Sequence, residues 1–326
     1  MRICLVGPAY PYRGGISHFT HMLARELRPS HDVLLINFAR LYPEFLFPGR
    51  TQYDETSSLR DESLRVIDSI GPASWPRAAR AVLDFRPDLV VFQWWQPFFA
   101  PAMRAISARI RRRSQARVVF LCHNVLPHEA RVTDRVLVKM GLKHGHGFVV
   151  QSREDGATLA SLLPGAQVVF SPMPVFDVFA GHTETRADAR RKLGLDGRVL
   201  LFFGLVRAYK GLATLLEAFA RCGERLNATL LVVGEFYEDR RPYDDMLRAL
   251  GIEQRVRVVD RYVPNEEVGT YFRAADVVVL PYVTATQSAI VATAFSFERP
   301  VIVTRVGGLP DLVEDRVTGF VVAPQN

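Results

Sequence analysis

Two cations, Arg207 and Lys210, stand three residues apart in the stretch Phe202-Phe203-Gly204-Leu205-Val206-Arg207-Ala208-Tyr209-Lys210-Gly211. The stretch begins as an apolar strand, turns at a glycine and reaches the cations just before a helical pattern that starts near Gly211. A helix start offers N–H groups with no partner inside the helix and a partial positive charge, to which Arg and Lys add full charges. This is chemistry suited to holding a diphosphate. A solvated cationic face is the ordinary alternative, and the glycine and strand ahead of the pair favour phosphate over it.

Three further segments carry residues of the same promise. The first strand runs into Gly7-Pro8-Ala9-Tyr10-Pro11-Tyr12-Arg13-Gly14-Gly15-Ile16-Ser17-His18, a Gly/Pro-rich loop followed by a helix. Gly14 and Gly15 let the backbone approach a ligand at the helix start. The spacing is not G-x-G-x-x-G, which disfavours a dinucleotide, and a plain turn is the other reading. In Phe120-Leu121-Cys122-His123-Asn124-Val125-Leu126-Pro127-His128-Glu129, His123 falls just past a buried strand, at its carboxyl edge. His123, His128 and Glu129 do not read as a metal site, because they form no helical i,i+4 pair and no further His or Cys cluster supports them. In Leu280-Pro281-Tyr282-Val283-Thr284-Ala285-Thr286-Gln287-Ser288-Ala289-Ile290 a strand end meets small polar residues that open a helix. Thr286 or Ser288 can cap that helix, with or without a phosphate or sugar hydroxyl on the neighbouring amides.

These residues need elements to position them. Apolar runs and helical patterns alternate throughout. Strands are expected at 2–6, 32–38, 88–94, 117–122, 147–151 and 167–170, then at 198–203, 228–233, 255–259, 276–280, 300–304 and 319–322. Runs such as Val277-Val278-Val279-Leu280 are apolar on both faces, as when helices cover both sides of a parallel sheet. Helices are expected near 15–28, 74–85, 98–113, 131–143 and 153–162, and near 210–223, 240–250, 265–274, 286–297 and 309–314. Twelve strands in two sets imply two doubly wound α/β domains, with ligands at the carboxyl ends of the strands in the cleft between them. The boundary falls after Pro172, where Ser171-Pro172-Met173-Pro174 stops a strand and a polar stretch with a short basic helix runs to Gly197.

A chain of 326 residues suits two such domains. No run of about 18 apolar residues occurs, so no membrane span is expected. Arg2-Ile3-Cys4-Leu5-Val6-Gly7 is too short for the apolar core of a signal peptide. Cys4, Cys122 and Cys222 are widely spaced and read as reduced core residues of a cytosolic protein. The first 170 residues hold 22 Lys and Arg against 14 Asp and Glu, and the rest hold 19 against 20, so the positive charge belongs to the first half. Its densest cluster is Arg104, Arg109, Arg111, Arg112, Arg113 and Arg117, beside Phe98, Phe99, Met103, Ile106 and Ile110. Such a helix suits an anionic membrane surface, or simply an amphipathic helix covering a sheet. No nucleic-acid motif is present, and the aromatics sit in strands.

Taken in order along nearly the whole chain, these segments resemble family 4 of the glycosyltransferases, a retaining group with the GT-B fold. The resemblance rests on Gly14-Gly15, on His123 after a central strand, on Gly204 through Lys210-Gly211, and on Val232-Val233-Gly234. Its most specific part is Pro300-Val301-Ile302 followed by Val306-Gly307-Gly308-Leu309-Pro310-Asp311-Leu312-Val313.

It implies two Rossmann-like domains facing a central cleft: an acceptor-binding domain at 1–172, a linker at 173–197 and a nucleotide-sugar-binding domain at 198–326. His123 would be the catalytic residue, close to the anomeric carbon. Arg207, Lys210, Glu235, Thr286, Gln287 and Ser288 would bind the donor, and Gly14, Gly15 and His18 would form the phosphate or acceptor loop. The partners implied are a UDP- or GDP-sugar donor, a glycan or lipid-linked acceptor and an anionic membrane surface, with no nucleic acid. The place would be the cytoplasm, at the inner face of the membrane, and the work polysaccharide or cell-envelope synthesis. No cofactor or metal is required, since Arg, Lys and helix dipoles neutralise the leaving diphosphate, and no Asp-x-Asp of the metal-dependent type is found.

The chain departs from the family pattern in three places. Two glutamates usually stand eight apart before the Pro-Val-Ile strand, and the matching positions are Ala285 and Thr293. Their loss removes charged hydrogen bonds of about 1.5–3 kcal/mol each, for which Thr286, Gln287 and Ser288 offer neutral replacements. Leu205 occupies the usual arginine position, with Arg207 nearer Lys210. The sequence stops at Asn326, where the family continues into further helices, so the second domain reads as truncated. Two other functions stay open: a non-catalytic, transferase-like partner subunit, and a sugar-nucleotide epimerase. The second needs several acid/base groups where Ala285 and Thr293 stand.

Overall fold

The computed structural model describes residues 1–47, 49–54, 59–127, 131–181 and 184–325; His128, Glu129, His182 and Thr183 lie outside the described residues. The chain divides into two compact units, Met1–Pro172 and Met173–Asn326.

The first unit contains β1 (Arg2–Val6), α1 (Gly15–Leu27), β2 (Asp32–Arg40), β3 (Leu64–Asp68), α2 (Trp75–Phe85), β4 (Leu89–Trp94), α3 (Ala100–Arg113), β5 (Arg117–Cys122), α4 (Val132–Leu142), β6 (Gly147–Val150), α5 (Arg153–Leu162) and β7 (Val168–Phe170). Its seven strands form one parallel sheet in the order β3-β2-β1-β4-β5-β6-β7. Register fixes the core. Phe92, Phe120 and Phe148 are partners across β4, β5 and β6, and their rings stack at 5.1 and 6.1 Å.

β3 is the strand that the apolar-run reading lacked. It lies at the sheet edge, and only Ile67 of Leu64-Arg65-Val66-Ile67-Asp68 is fully buried. An edge strand covered on one side has no continuous apolar run to reveal it.

The second unit contains α6 (Arg186–Leu193), β8 (Arg198–Phe203), α7 (Leu212–Cys222), β9 (Ala228–Val233), α8 (Arg241–Ala249), β10 (Val256–Val259), α9 (Asn265–Ala274), β11 (Val277–Leu280), α10 (Ala289–Ser296), β12 (Val301–Thr304), α11 (Leu309–Leu312) and β13 (Gly319–Val322). The strands again pair in parallel, in the order β10-β9-β8-β11-β12-β13. α6 falls within the stretch expected as a linker and is fastened to this unit. The Arg190 guanidinium donates to the Ala274 carbonyl at 3.0 Å and to Asp276 at 2.6 Å, and Arg186 pairs with the same aspartate.

Each sheet reverses its winding once, between β1 and β4 and between β8 and β11. Ligands of open parallel sheets bind outside the strand ends at such a reversal. The loops there are 7–14 in the first unit, and 204–211 and 281–288 in the second. Among the described residues no helix is long and apolar enough to cross a membrane. Cys4 and Cys122 are buried, Cys222 is half-buried, and all three are free thiols.

Candidate functional site

In the second unit β8 ends at Phe203, and the chain passes through Gly204 to a 3-10 turn at Ala208–Lys210. Gly211 then takes a left-handed φ of 70° and starts α7. Lys210 therefore precedes the helix rather than standing within it. Only glycine fits at 211: a Cβ there would lie 2.0 Å from the Pro281 carbonyl oxygen. That approach is possible because loop 281–288 is stitched down on both sides. The Val283 amide donates to the Tyr209 carbonyl at 2.7 Å, the Thr304 hydroxyl to the Tyr282 carbonyl at 2.6 Å, and the Gly308 amide to the Thr286 carbonyl at 2.7 Å. The ends of β8, β11 and β12 are thereby joined into one surface.

Lys210 is buried, at 9% exposure, with Nζ 5.6 Å from the centre of the Tyr282 ring. Burial, with a smaller contribution from the nearby Arg207, lowers its pKa to about 8. Arg207 is exposed and lies over the Tyr237 ring at 5.5 Å. Among the described residues neither cation has a carboxylate partner. The first turn of α7 has neither a side-chain cap nor an acidic residue. Two cations and an uncapped helix start thus lie close together, an arrangement that favours an anion.

The remaining expected donor residues stand on the loops after β9 and β11. Ser288 caps α10 by accepting from the Ile290 amide at 3.3 Å, and its hydroxyl is 3.3 Å from that of Tyr282. Thr286 and Gln287 occupy the same loop. Glu235 follows β9, is buried at 2% exposure, and accepts the Val206 amide on its carbonyl at 2.9 Å. Ala285 is buried, and the Thr293 hydroxyl is spent on the Ala289 carbonyl at 2.9 Å, so neither offers a charged group. Sequence reading missed two residues here. Tyr282 forms the aromatic wall beside Lys210. Glu238 accepts the Ala208 amide at 2.8 Å and the Tyr243 hydroxyl, and so holds the turn that carries Lys210.

In the first unit the loop after β1 is held by Asn37, whose carboxamide accepts the Ala9 amide at 3.2 Å and donates to the carbonyls of Ala9 and Tyr10 at 3.2 and 2.9 Å. Gly14 has φ 108° and caps α1, whose first turn again has no side-chain cap and no acidic residue. Gly15 opens the helix, and the His18 amide donates to the Gly14 carbonyl at 3.1 Å. One turn further on, Phe19 meets the His123 ring edge-on at 4.9 Å, which joins this helix to the end of β5. His123 is buried, with Nδ1 3.0 Å from Gln151 Oε1 and Nε2 2.6 Å from Gln93 Oε1. Burial lowers its pKa to about 4. The loop beyond it is fixed by Asp155, which accepts the Val125 amide at 2.8 Å. Gln93, Gln151 and Asp155 were not read from the sequence. Among the described residues no group of three His, Cys, Asp or Glu side chains is placed to hold a metal ion.

Comparison with known proteins follows the same division. Residues 13–172 match the family described as Glycosyltransferase Family 4, and residues 197–326 match the one described as Glycosyl transferases group 1. A D-inositol 3-phosphate glycosyltransferase of Corynebacterium glutamicum is 32% identical over 177 residues, 52% of this chain. The match spans 40% of that relative's own length. Among solved structures, sucrose-phosphate synthase from Thermosynechococcus elongatus superposes with a TM-score of 0.74 at 20% identity, over 100% of this chain and 87% of the other. Anabaena HepE, solved with UDP, superposes with a TM-score of 0.73 at 19% identity, over 99% and 86%. These structural likenesses give the chain two GT-B-type α/β sheets. With both units matched, the chain belongs to the group 1, family 4 glycosyltransferases.

Proposed function

We propose that the protein transfers a sugar from a nucleoside diphosphate-sugar to a glycan or lipid-linked acceptor, with retention at the anomeric carbon. One observation carries this reading: a buried Lys210 without a carboxylate partner among the described residues, next to the uncapped start of α7 at the winding reversal of the second sheet. A desolvated ammonium is costly unless an anion joins it. A diphosphate supplies that anion, and its negative charge grows as it leaves the sugar, so Lys210, Arg207 and the α7 dipole stabilise the transition state. The bond from C1 to the diphosphate oxygen breaks and the acceptor oxygen bonds C1 on the same face. The leaving phosphate takes the acceptor's proton.

In this reading Thr286, Gln287 and Ser288 take the sugar and phosphate oxygens in place of the absent glutamates, and Glu235 belongs to the same donor surface. Gly14, Gly15 and His18 form the loop of the acceptor-binding unit, and His123 borders the transferred sugar. No divalent ion is needed. UDP is the first nucleotide to try, because HepE has been solved with UDP and with UDP-glucose; GDP is the other.

The arginine cluster has a different place from the one that acceptor binding would give it. Arg109, Arg111, Arg112 and Arg113 end α3 and Arg117 opens β5, at the amino edge of the sheet and away from His123. None of them has a carboxylate partner among the described residues. This supports attachment to an anionic lipid surface, which sedimentation with anionic against neutral vesicles tests. Ala285 and Thr293 favour one competing reading, a transferase-like partner subunit without activity.

Release of nucleoside diphosphate from UDP- and GDP-sugars, with and without a lipid extract and with chelator, separates the two. Release stimulated by the extract and indifferent to chelator is expected. A folded protein that binds no donor and releases nothing favours the inactive subunit.

A further inference from the structure

His123 is held from both sides by carboxamides on neighbouring strands. Gln93 lies in β4, His123 follows β5 and Gln151 follows β6, three adjacent strands of the first sheet. All three side chains are buried, and Gln93 is fully so. As placed, both ring nitrogens face carboxamide oxygens, at 2.6 and 3.0 Å. Only a doubly protonated ring satisfies two acceptors, and burial opposes that charge. A neutral ring has one N–H and one lone pair, so one glutamine must present its NH2 group. The Gln93 Nε2 atom is buried and makes no other hydrogen bond. Turning the Gln93 carboxamide over aims that nitrogen at the lone pair on His123 Nε2. Which end of a carboxamide is oxygen is decided by such bonding.

We propose that Gln93 and Gln151 are positioning residues that hold His123 as a neutral imidazole of one tautomer, Nδ1–H donating to Gln151 and Nε2 accepting from Gln93. Gly7 is part of the device, since a Cβ there would lie 2.4 Å from Gln93 Cγ. Glycine at the end of β1 leaves the room that lets Gln93 reach the ring. From α1 the Phe19 ring meets the imidazole edge-on, and burial is what lowers its pKa. The functional consequence rests on the reading that His123 borders the transferred sugar: the ring shapes that wall without exchanging protons, while the leaving phosphate handles the acceptor's proton.

The test is a two-bond proton–nitrogen spectrum of protein labelled with 15N-histidine, with the His123 signals identified by their loss in His123→Asn. The expected result is an N–H-type nitrogen at Nδ1 and a lone-pair nitrogen at Nε2, unchanged from pH 8 to pH 5.5. An Nε2–H tautomer, or a ring that protonates within that range, overturns the proposal. Gln93→Glu provides only acceptors, so the ring proton moves to Nε2; Gln151→Glu leaves it on Nδ1, and keeps the test alive if the first variant fails to fold. In turnover, Gln93→Glu is expected to lower kcat about tenfold to a hundredfold through misplacement of the ring, with KM for the donor within about twofold and a new pH dependence that Gln151→Glu shares. A purely structural role would lower stability and leave the pH profile as it was. If the spectrum is as assigned but wild-type protein turns over no donor, the proposed function falls and the ring assignment stands.

Discussion

Replacing Lys210 by methionine should strengthen the unliganded fold and weaken its hold on a nucleoside diphosphate-sugar. Methionine nearly matches the lysine stem in length, so the packing beside Tyr282 is largely kept. Burial moves the ammonium from 10.5 down to about 8. At about 1.4 kcal/mol per pH unit, the charged form costs about 3 kcal/mol in the folded protein. Below pH 8 the folded and unfolded chains both carry the proton, so the whole cost is present. Between pH 8 and 10.5 the unfolded chain binds more protons than the folded one, so wild-type stability rises with pH relative to the variant. Urea unfolding of both proteins should show Lys210→Met ahead by up to about 3 kcal/mol at pH 7, with the gap closing by pH 10.

Binding should behave in the opposite sense. Loss of one charged hydrogen bond, about 1.5–3 kcal/mol, weakens UDP-glucose about 10- to 150-fold. Its diphosphate is esterified at both ends and does not titrate near neutrality. Binding at pH 9 should therefore take up nearly one proton, because only about a tenth of Lys210 is charged beforehand and the diphosphate recharges it. Calorimetry in two buffers of different ionisation heat reads that proton. A variant that is less stable at pH 7 and binds UDP-glucose as tightly as wild type would show that Lys210 is neither a strained charge nor a diphosphate ligand.

Other changes have definite expectations. Arg207→Ala removes an exposed cation and should weaken the donor by only about 0.2–1 kcal/mol, up to about fivefold, an effect that high salt erases in a Kd series. Gly211→Ala forces a Cβ to within 2.0 Å of the Pro281 oxygen at a left-handed φ; a loss of about 1–3 kcal/mol for the backbone alone is expected, read as a lower urea midpoint. Burial raises the Asp155 pKa from 3.8 to about 6. The stability this contributes is complete below pH 3.8 and disappears as pH rises through 6, so wild type should lose about 3 kcal/mol relative to Asp155→Asn across that window in unfolding measurements.

Much of the architecture was legible because both sheets are parallel and covered by helices. Strands such as Val277–Leu280 and Ala228–Val233 are then apolar on both faces and stand out between helical patterns. β3 was not legible, since an edge strand with a single fully buried residue has no such run. The cationic loop proposed for the donor was legible from Gly204, Arg207, Lys210 and Gly211, whose types and order carry the positive charge and the turn. What packs against it was not. Tyr282 meets Lys210 only because β11 lies beside β8, a pairing between segments about 80 residues apart. Gln93 is harder still: within Leu89–Trp94 it reads as one polar interruption, and acquires meaning only when β4, β5 and β6 are neighbours and Gly7 leaves it room.

In the proposed function the second unit's cationic loop holds a nucleoside diphosphate. The most direct test is a calorimetric titration of the purified chain with UDP, GDP, ADP and their common sugar conjugates, beside Lys210→Ala. Binding of one nucleotide series, weakened at least about tenfold in the variant, is the predicted result. A folded wild-type protein that binds none of them, or a variant that binds as tightly as wild type, would contradict it.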